Sequence, residues 1–172
     1  MIGPGEEQLH PNVQRVVQAA ADAGLLIEVV RFPASTRTAE DAARAVGCSV
    51  AQIVKSLVFV VDGKPVMALL SGADRLDPVR LAEAMDGSEV RRADSDEVRS
   101  ATGYAIGGVP PLGHARPLPI LIDEHLLEHA EVWAAAGLPD AVFRVAPEAL
   151  ERAAGARRTA IAVEREPRAD PA

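Results

Sequence analysis

Two stretches of the chain carry residues that could do chemistry. The first runs from Gln52 to Gly63 and sets one charged side chain, Lys55, against the most apolar run of the sequence. Leu57 to Val61 is entirely apolar and mostly β-branched or aromatic, which reads as a strand buried on both faces, and Asp62-Gly63 closes it as a hairpin turn. Of 18 basic residues only Lys55 and Lys64 are lysine, so a chain that otherwise writes its cations as arginine has put a lysine at a core boundary. Such a lysine either rests its stem on the apolar rim with its head in water or acts on a ligand. The second stretch, Gly103 to His114, holds four glycines and two prolines in twelve residues. Glycine lets backbone N–H groups approach a ligand closely and proline stiffens the loop, so it could present donors to a carbonyl oxygen or a phosphate. A rigid connector would have the same composition. His114, at its end, could donate to or orient a substrate.

Two further patterns invite a reading. His125-Leu126-Leu127-Glu128-His129 matches the H-x-x-E-H pattern of inverted zinc peptidases, in which two histidines one helical turn apart bind the metal. The surrounding helix is barely two turns long and the chain is short for such an enzyme, so an exposed polar face is the expectation. Cys48 precedes a capped helix start, where a thiolate could be stabilised, but its simpler role is that of a small buried residue. No G-x-S-x-G elbow, Walker loop or dinucleotide fingerprint occurs, which leaves serine hydrolases and nucleotide enzymes without support.

The elements that must position these residues follow from punctuation. Val13, Val16, Val17 and Ala20 recur at helical spacing and Gly24 closes a helix over about 11–23. Leu26 to Phe32 reads as a strand, followed by a polar loop through Ser35 and Thr36. Thr38-Ala39-Glu40-Asp41 resembles a capping box opening a helix that Gly47 ends, and Ser49 to Gln52 repeats the signature just before Lys55. The hairpin partner spans Pro65 to about Leu70. Asp77 with Pro78 opens a helix ending at Gly87, a short strand lies near Val90, and a helix covers Ser95 to Ala101. Beyond the glycine loop come a strand from Leu118 to Asp123, a helical turn over Glu124 to Ala130, and strands at Val132–Ala134 and Val142–Val145. A helix from Pro147 to Gly155 and a final strand from Thr159 to Val163 complete the series. Interleaved helices and strands with a tight hairpin predict a mixed α/β (α+β) fold, a mixed sheet or partial barrel surrounded by helices.

At 172 residues the chain is expected to form a single domain, with short flexible ends at about 1–9 and 164–172. Only 3% of it is aromatic, so Ala, Val, Leu and Ile must build the core. One cysteine excludes an internal disulfide. No run approaches a membrane span, and Met1 to Glu7 lacks the features of a signal peptide, so a cytoplasmic location without membrane association is expected. A net charge of −7 argues against binding duplex DNA. Arg75, Arg80, Arg91, Arg92, Arg99 and Arg116 could still form a local basic rim, or be scattered solvated charges.

Gln52 to Val58, Thr102 to Gly113 and Leu118 to Asp123 together resemble the YbaK and prolyl-tRNA-synthetase-associated editing domains, which hydrolyse mischarged aminoacyl-tRNA. The match runs in order from about Glu28 to Val163. The resemblance implies a free-standing deacylase, without metal or other cofactor, acting on the ester between a small amino acid (Cys, Ala, Ser or Thr) and the acceptor end of tRNA, tRNA(Pro) above all. An aminoacyl-tRNA synthetase is an implied partner. Lys55 would hold the terminal phosphate or ribose region, and backbone N–H groups of Gly107, Gly108 and Val109 would polarise the ester carbonyl. Phe32, Ser35, Thr36, Ser56 and Gly103 are the implied substrate contacts on the amino-terminal side. Pro110, Pro111, Gly113, His114 and Asp123 are those that follow the loop. A chain without nucleophile triad or metal cluster suits an activated ester, which needs little beyond positioning and an oxyanion site. The alternative is a non-catalytic module of the same fold that binds a tRNA end or a nucleotide.

Overall fold

A computed structural model describes residues 9–32 and 38–164. Among them the chain runs α1 (Pro11–Asp22), β1 (Val29–Arg31), α2 (Ala39–Val46), a 3-10 turn (Val50–Gln52), β2 (Val54–Val61), β3 (Lys64–Ser71), α3 (Pro78–Ala84), β4 (Val90–Arg92) and α4 (Ser95–Thr102). After the glycine loop come β5 (Ile120–Asp123), a 3-10 helix (Glu124–Glu128), β6 (Val132–Ala135), β7 (Ala141–Val145), α5 (Pro147–Ala154) and β8 (Arg157–Thr159). Five strands form a mixed sheet in the order β4-β2-β3-β5-β8, and three form an antiparallel sheet in the order β1-β7-β6. A parallel bridge between Ile53 and Trp133 joins the two. The sheets do not close into a barrel, and the mixed α/β class is as the punctuation predicted.

The β2–β3 hairpin is the spine. Asp62 and Gly63 both take positive φ, 47° and 82°, the requirement of a two-residue turn whose twist matches the strands. Both faces of the hairpin are covered, as expected from its unbroken apolar run. Val54, Val58 and Val60 of β2, with Met67 and Leu69 of β3, meet α1, the small sheet and the glycine loop in the main core. Phe59 and Val61, with Val66, Ala68 and Leu70, meet Leu81 of α3, Leu121 and the segment around Ile161 on the other face. Each fully buried side chain of this kind contributes about 1.5–3 kcal/mol of transfer free energy.

Caps fall where the sequence signals them. Thr38 Oγ1 accepts from the Asp41 N–H at 3.1 Å, Asp77 accepts from the N–H groups of Val79 and Arg80, and Asp94 with Glu97 forms a capping box. Several boundaries differ, among them β5, which starts at Ile120 and not Leu118, and the turn after it, which ends at Glu128 and not Ala130. β1 begins at Val29, not Leu26, because the Leu25 N–H closes the end of α1 on the Ala20 carbonyl and pairing starts only where β7 lies opposite, Val29 against Phe143. Leu26 is consequently 91% exposed. The last strand is Arg157–Thr159, not Thr159–Val163, since Ile161 and Ala162 give their N–H groups to the Asp123 carboxylate instead of a ladder. α3 ends at Ala84, three residues before Gly87, whose N–H nevertheless returns to the Ala82 carbonyl.

Gly72, just past β3, sits where a β-carbon would meet the Val50 carbonyl oxygen at 2.6 Å and the Ala39 Cβ at 3.0 Å. The turn it belongs to therefore packs directly on the 3-10 turn and α2. Gly72→Ala is expected to lower stability by about 1–3 kcal/mol, the usual range for overpacking a tight contact, read as a lower urea midpoint at unchanged m-value.

Candidate active site

Lys55 and the glycine loop meet at one cavity of about 240 Å³. The cavity exists because β4 pairs with β2 only from Phe59 to Val61, leaving the Val54–Val58 half of β2 without a strand neighbour on that side apart from the Ile53–Trp133 bridge. Thr38, Ala39 and Ala42 of the α2 region form one wall, Ile106, Gly107 and Val109 a second, and Trp133, Ala134, Ala135, Pro139 and Val142 of the small sheet a third. Lys55 and Ser56 lie on the β2 side, with Arg92 beside them.

The Lys55 ammonium donates to the backbone carbonyl of Asp74. Burial pulls its pKa below the ordinary lysine value; the charge of Arg92 acts in the same direction, while Asp74 and Glu40 oppose it. This lysine is thus held among apolar groups by a carbonyl. The Ser56 hydroxyl is buried in the same wall and has no hydrogen-bond partner among the described residues. Alternation along β2 also turns the Ser56 backbone groups to the open edge, since two residues on the Val58 carbonyl takes the Ala93 N–H there.

In the loop, Gly107 has φ of 101° and faces the cavity, and Val109 is buried in its wall. The Gly108 N–H closes a turn on the Ala105 carbonyl at 3.1 Å, and its α-carbon abuts the Leu138 backbone, where a β-carbon would come within 2.8–2.9 Å. Gly108 therefore seats the loop on the β6–β7 turn, and the N–H groups of its neighbours Gly107 and Val109 have no acceptor among the described residues. Lys55, Ser56 with its orphan hydroxyl, and Gly107 and Val109 with their unengaged N–H groups thus line one mainly apolar cavity. Such a set can bind and polarise an oxyanion.

Other residues singled out in the sequence lie elsewhere. Gly103 has φ of 84°, ends α4, and packs near Ala115 and Arg15. Pro110 and Pro111 are buried and are not among the residues lining the cavity. Gly113 and His114 border a separate cavity with Ala19, Arg116 and Leu118, and His114 Nε2 lies 2.7 Å from the Pro110 carbonyl oxygen. Phe32 is half-buried, its N–H bonded to the Asp140 carbonyl, and it is not among the residues lining the cavity. Ser35 and Thr36 fall outside the described residues. Cys48 is partly exposed, and burial raises its thiol pKa, the opposite of an activated thiolate. Trp133, Arg92 and Pro139 were not singled out as site residues; each sits in a short strand or turn that reads as ordinary core or surface, and only their long-range apposition to Lys55 distinguishes them.

Asp123 is 1% exposed and serves the frame. One oxygen accepts from the Ile161 and Ala162 N–H groups, both at 2.9 Å, and the other from the His125 N–H at 3.0 Å. His125 Nδ1 lies 2.8 Å from a carboxylate oxygen of Asp74. Asp74, Asp123 and His125 each bring a possible ligand atom within 4.8 Å of the others. Three backbone donors already occupy the Asp123 oxygens, so this trio fits an internal tether better than a metal centre. His129 is not part of it.

Comparison with known proteins gives a consistent picture. The model of the aminoacyl-tRNA editing domain matches residues 33–153. A solved structure of a candidate trans-editing enzyme for prolyl tRNA synthetase superposes with a TM-score of 0.86 at 47% identity, over 91% of this chain and 100% of that one. The proline–tRNA ligase of Acidithiobacillus ferrooxidans is 36% identical over 122 residues, which make up 71% of this chain and 21% of the ligase. The chain thus spans about a fifth of the ligase's length. EbsC of Enterococcus faecalis, named as a candidate Cys-tRNA(Pro)/Cys-tRNA(Cys) deacylase, is 30% identical over 66% of this chain and 70% of its own.

Burial lowers the His114 pKa from its ordinary value, against a smaller opposing effect of the Pro110 carbonyl. The unfolded chain therefore binds this proton more readily than the folded one. The linked stability is present above about pH 6.5 and is lost as the pH falls below it toward the depressed folded value. His114→Gln is expected to flatten the decline of the urea midpoint between about pH 7.5 and pH 5 relative to the parent. Parallel pH profiles for the two proteins would contradict a buried neutral imidazole.

Proposed function

The chain belongs to the aminoacyl-tRNA editing domain family, and from that premise we propose that it is a trans-editing deacylase, hydrolysing the ester between a wrong small amino acid and the acceptor end of tRNA(Pro). The observation that carries this reading is that Lys55 lines one cavity with Gly107 and Val109, whose N–H groups have no acceptor among the described residues. An aminoacyl ester is already activated, so hydrolysis requires that it be oriented, that water reach it, and that negative charge developing on the carbonyl oxygen be stabilised. Lys55 holds the terminal phosphate or ribose of the tRNA and so fixes the ester. The Gly107 and Val109 N–H groups donate to the carbonyl oxygen as its charge grows. Ser56 gives its hydroxyl to the attacking water.

The wall that receives the side chain favours some amino acids over others. Ala39, Ala42, Ala134, Ala135, Pro139 and Val142 offer it only apolar contact. A hydroxyl set against such a wall without a partner costs about 1–3 kcal/mol. Alanine and cysteine are therefore preferred to serine and threonine. The relatedness to proline–tRNA ligases and to EbsC supports tRNA(Pro) as the substrate and a synthetase as the partner that helps deliver it. Among the described residues no helix is long and apolar enough to cross a membrane.

The test is deacylation of tRNA(Pro) charged in turn with alanine, cysteine, serine and threonine, by the parent protein and by Lys55→Ala. Hydrolysis fastest for alanine or cysteine, with kcat/KM reduced about 10²- to 10³-fold in a folded Lys55→Ala, is the expected result. Tight binding of the tRNA end without turnover of any ester would instead assign the cavity to a silent binding module.

A further inference from the structure

On the other face of β2, next to the active-site cavity, lies a second cavity of about 330 Å³. Lys55 and Arg92 line both. Arg75 and Arg91 complete its cationic lining, over an apolar floor that includes Leu57 and Phe59, and no Asp or Glu among the described residues lines it. In a chain with 25 acidic residues against 18 basic ones, four cations around one cavity without a carboxylate is a marked departure from the average surface. The register explains how it arises. Arg92 of β4 stands opposite Phe59 of β2, so it projects on the same face as Leu57 and Lys55.

The four cations are not equivalent. Arg91 is held by Glu97 through two bonds, 2.7 and 2.8 Å, and its charge is largely spent there. Arg75 and Arg92 are exposed and make no ion pair among the described residues. Cations brought together on one cavity repel one another until an anion enters. The apolar floor adds a surface on which the flat face of a base can rest, the combination by which proteins hold single-stranded nucleic acid.

We propose that this groove binds the phosphodiester backbone of the unpaired nucleotides preceding the terminal adenosine, with Arg75 and Arg92 on the phosphates, while the ester lies in the neighbouring cavity. The proposal rests on the editing reading and adds to it a substrate track outside the catalytic cavity. It also reconciles an acidic protein with an RNA substrate, since only this strip needs to be cationic.

The test titrates a labelled RNA hairpin with an unpaired CCA end against the full chain and against the double variant Arg75→Gln/Arg92→Gln, between about 50 and 200 mM salt. Arg157→Gln, on the opposite edge strand of the sheet, is the control. Unfolding curves check that all variants are folded. The expected result is at least ~10-fold weaker binding by the double variant and a salt slope smaller by about 1.4, the loss of two single-strand phosphate contacts. Absence of binding by the parent, equal affinity and slope in the double variant, or an equal loss in Arg157→Gln overturns the groove. Parent deacylation of charged tRNA, measured alongside, separates the two ideas. Hydrolysis with RNA binding indifferent to both arginines leaves editing standing without the groove. RNA binding that needs both arginines, without hydrolysis, leaves the groove standing without editing.

Discussion

The ammonium of Lys55 is held by the carbonyl of Asp74, and much of the fold keeps that carbonyl in place. The turn after β3 is fixed from several sides. The Gly72 N–H donates to the Ile53 carbonyl at 2.7 Å, the buried Ser71 hydroxyl donates to the Ala51 carbonyl at 2.7 Å, and the Asp74 N–H returns to the Ser71 carbonyl at 2.9 Å. The Asp74 carboxylate then meets His125, whose own N–H is anchored on Asp123, and Asp123 gathers the Ile161 and Ala162 N–H groups. One polar chain thus links β2, the turn after β3, the end of β5 and the segment past β8. Networks of this kind rigidify when every member is satisfied and destabilise when one is removed, so few of these positions tolerate change.

The rigidity matters because the cavity offers little else. Among the described residues that line it there is no histidine, cysteine or carboxylate, and the hydroxyls among them are those of Thr38 and Ser56. In the proposed reaction, rate must come from orientation and from donors aimed at developing charge, and both are sensitive to displacements of about 1 Å. The loop answers the same demand. Gly108 closes a turn through its N–H on the Ala105 carbonyl and docks on Leu138 through its missing side chain, while its neighbours Gly107 and Val109 line the cavity. Without a β-carbon to hold the loop off, backbone itself becomes the functional surface.

What was legible in the sequence was local. The hairpin turn, the caps of α2 and α3 and the helix stops at Gly47 and Gly155 depend on a few neighbouring residues, and the chain writes them plainly. The limits of β1 and β8 are not legible locally, because they depend on where β7 and the Asp123 carboxylate stand, information held by distant residues. Lys55 and the loop were visible through composition, whereas Arg92 and Trp133 reach the cavity only through cross-strand register. The H-x-x-E-H spacing presumes an α-helix. The segment is a 3-10 helix, at three residues per turn, so positions four apart diverge by roughly 120° instead of sharing a face. His125 accordingly turns to Asp74, and the buried Nε2 of His129 has no partner among the described residues.

Lys55 shows how function and stability pull against each other at this site. A half-buried ammonium among apolar side chains, with Arg92 nearby, is less favourable than the same group in water, as its lowered pKa reflects. A carboxylate hydrogen-bonded directly to it would relieve the strain, but it would also neutralise the charge that an anionic substrate is meant to meet. A backbone carbonyl is the compromise: it fixes the ammonium by a hydrogen bond while leaving the net positive charge intact. The Asp74 carboxylate, turned instead to His125, acts on Lys55 through the field alone. That division, dipole to orient and distant charge to moderate, explains why the same residue supplies its carbonyl to the lysine and its side chain to the frame.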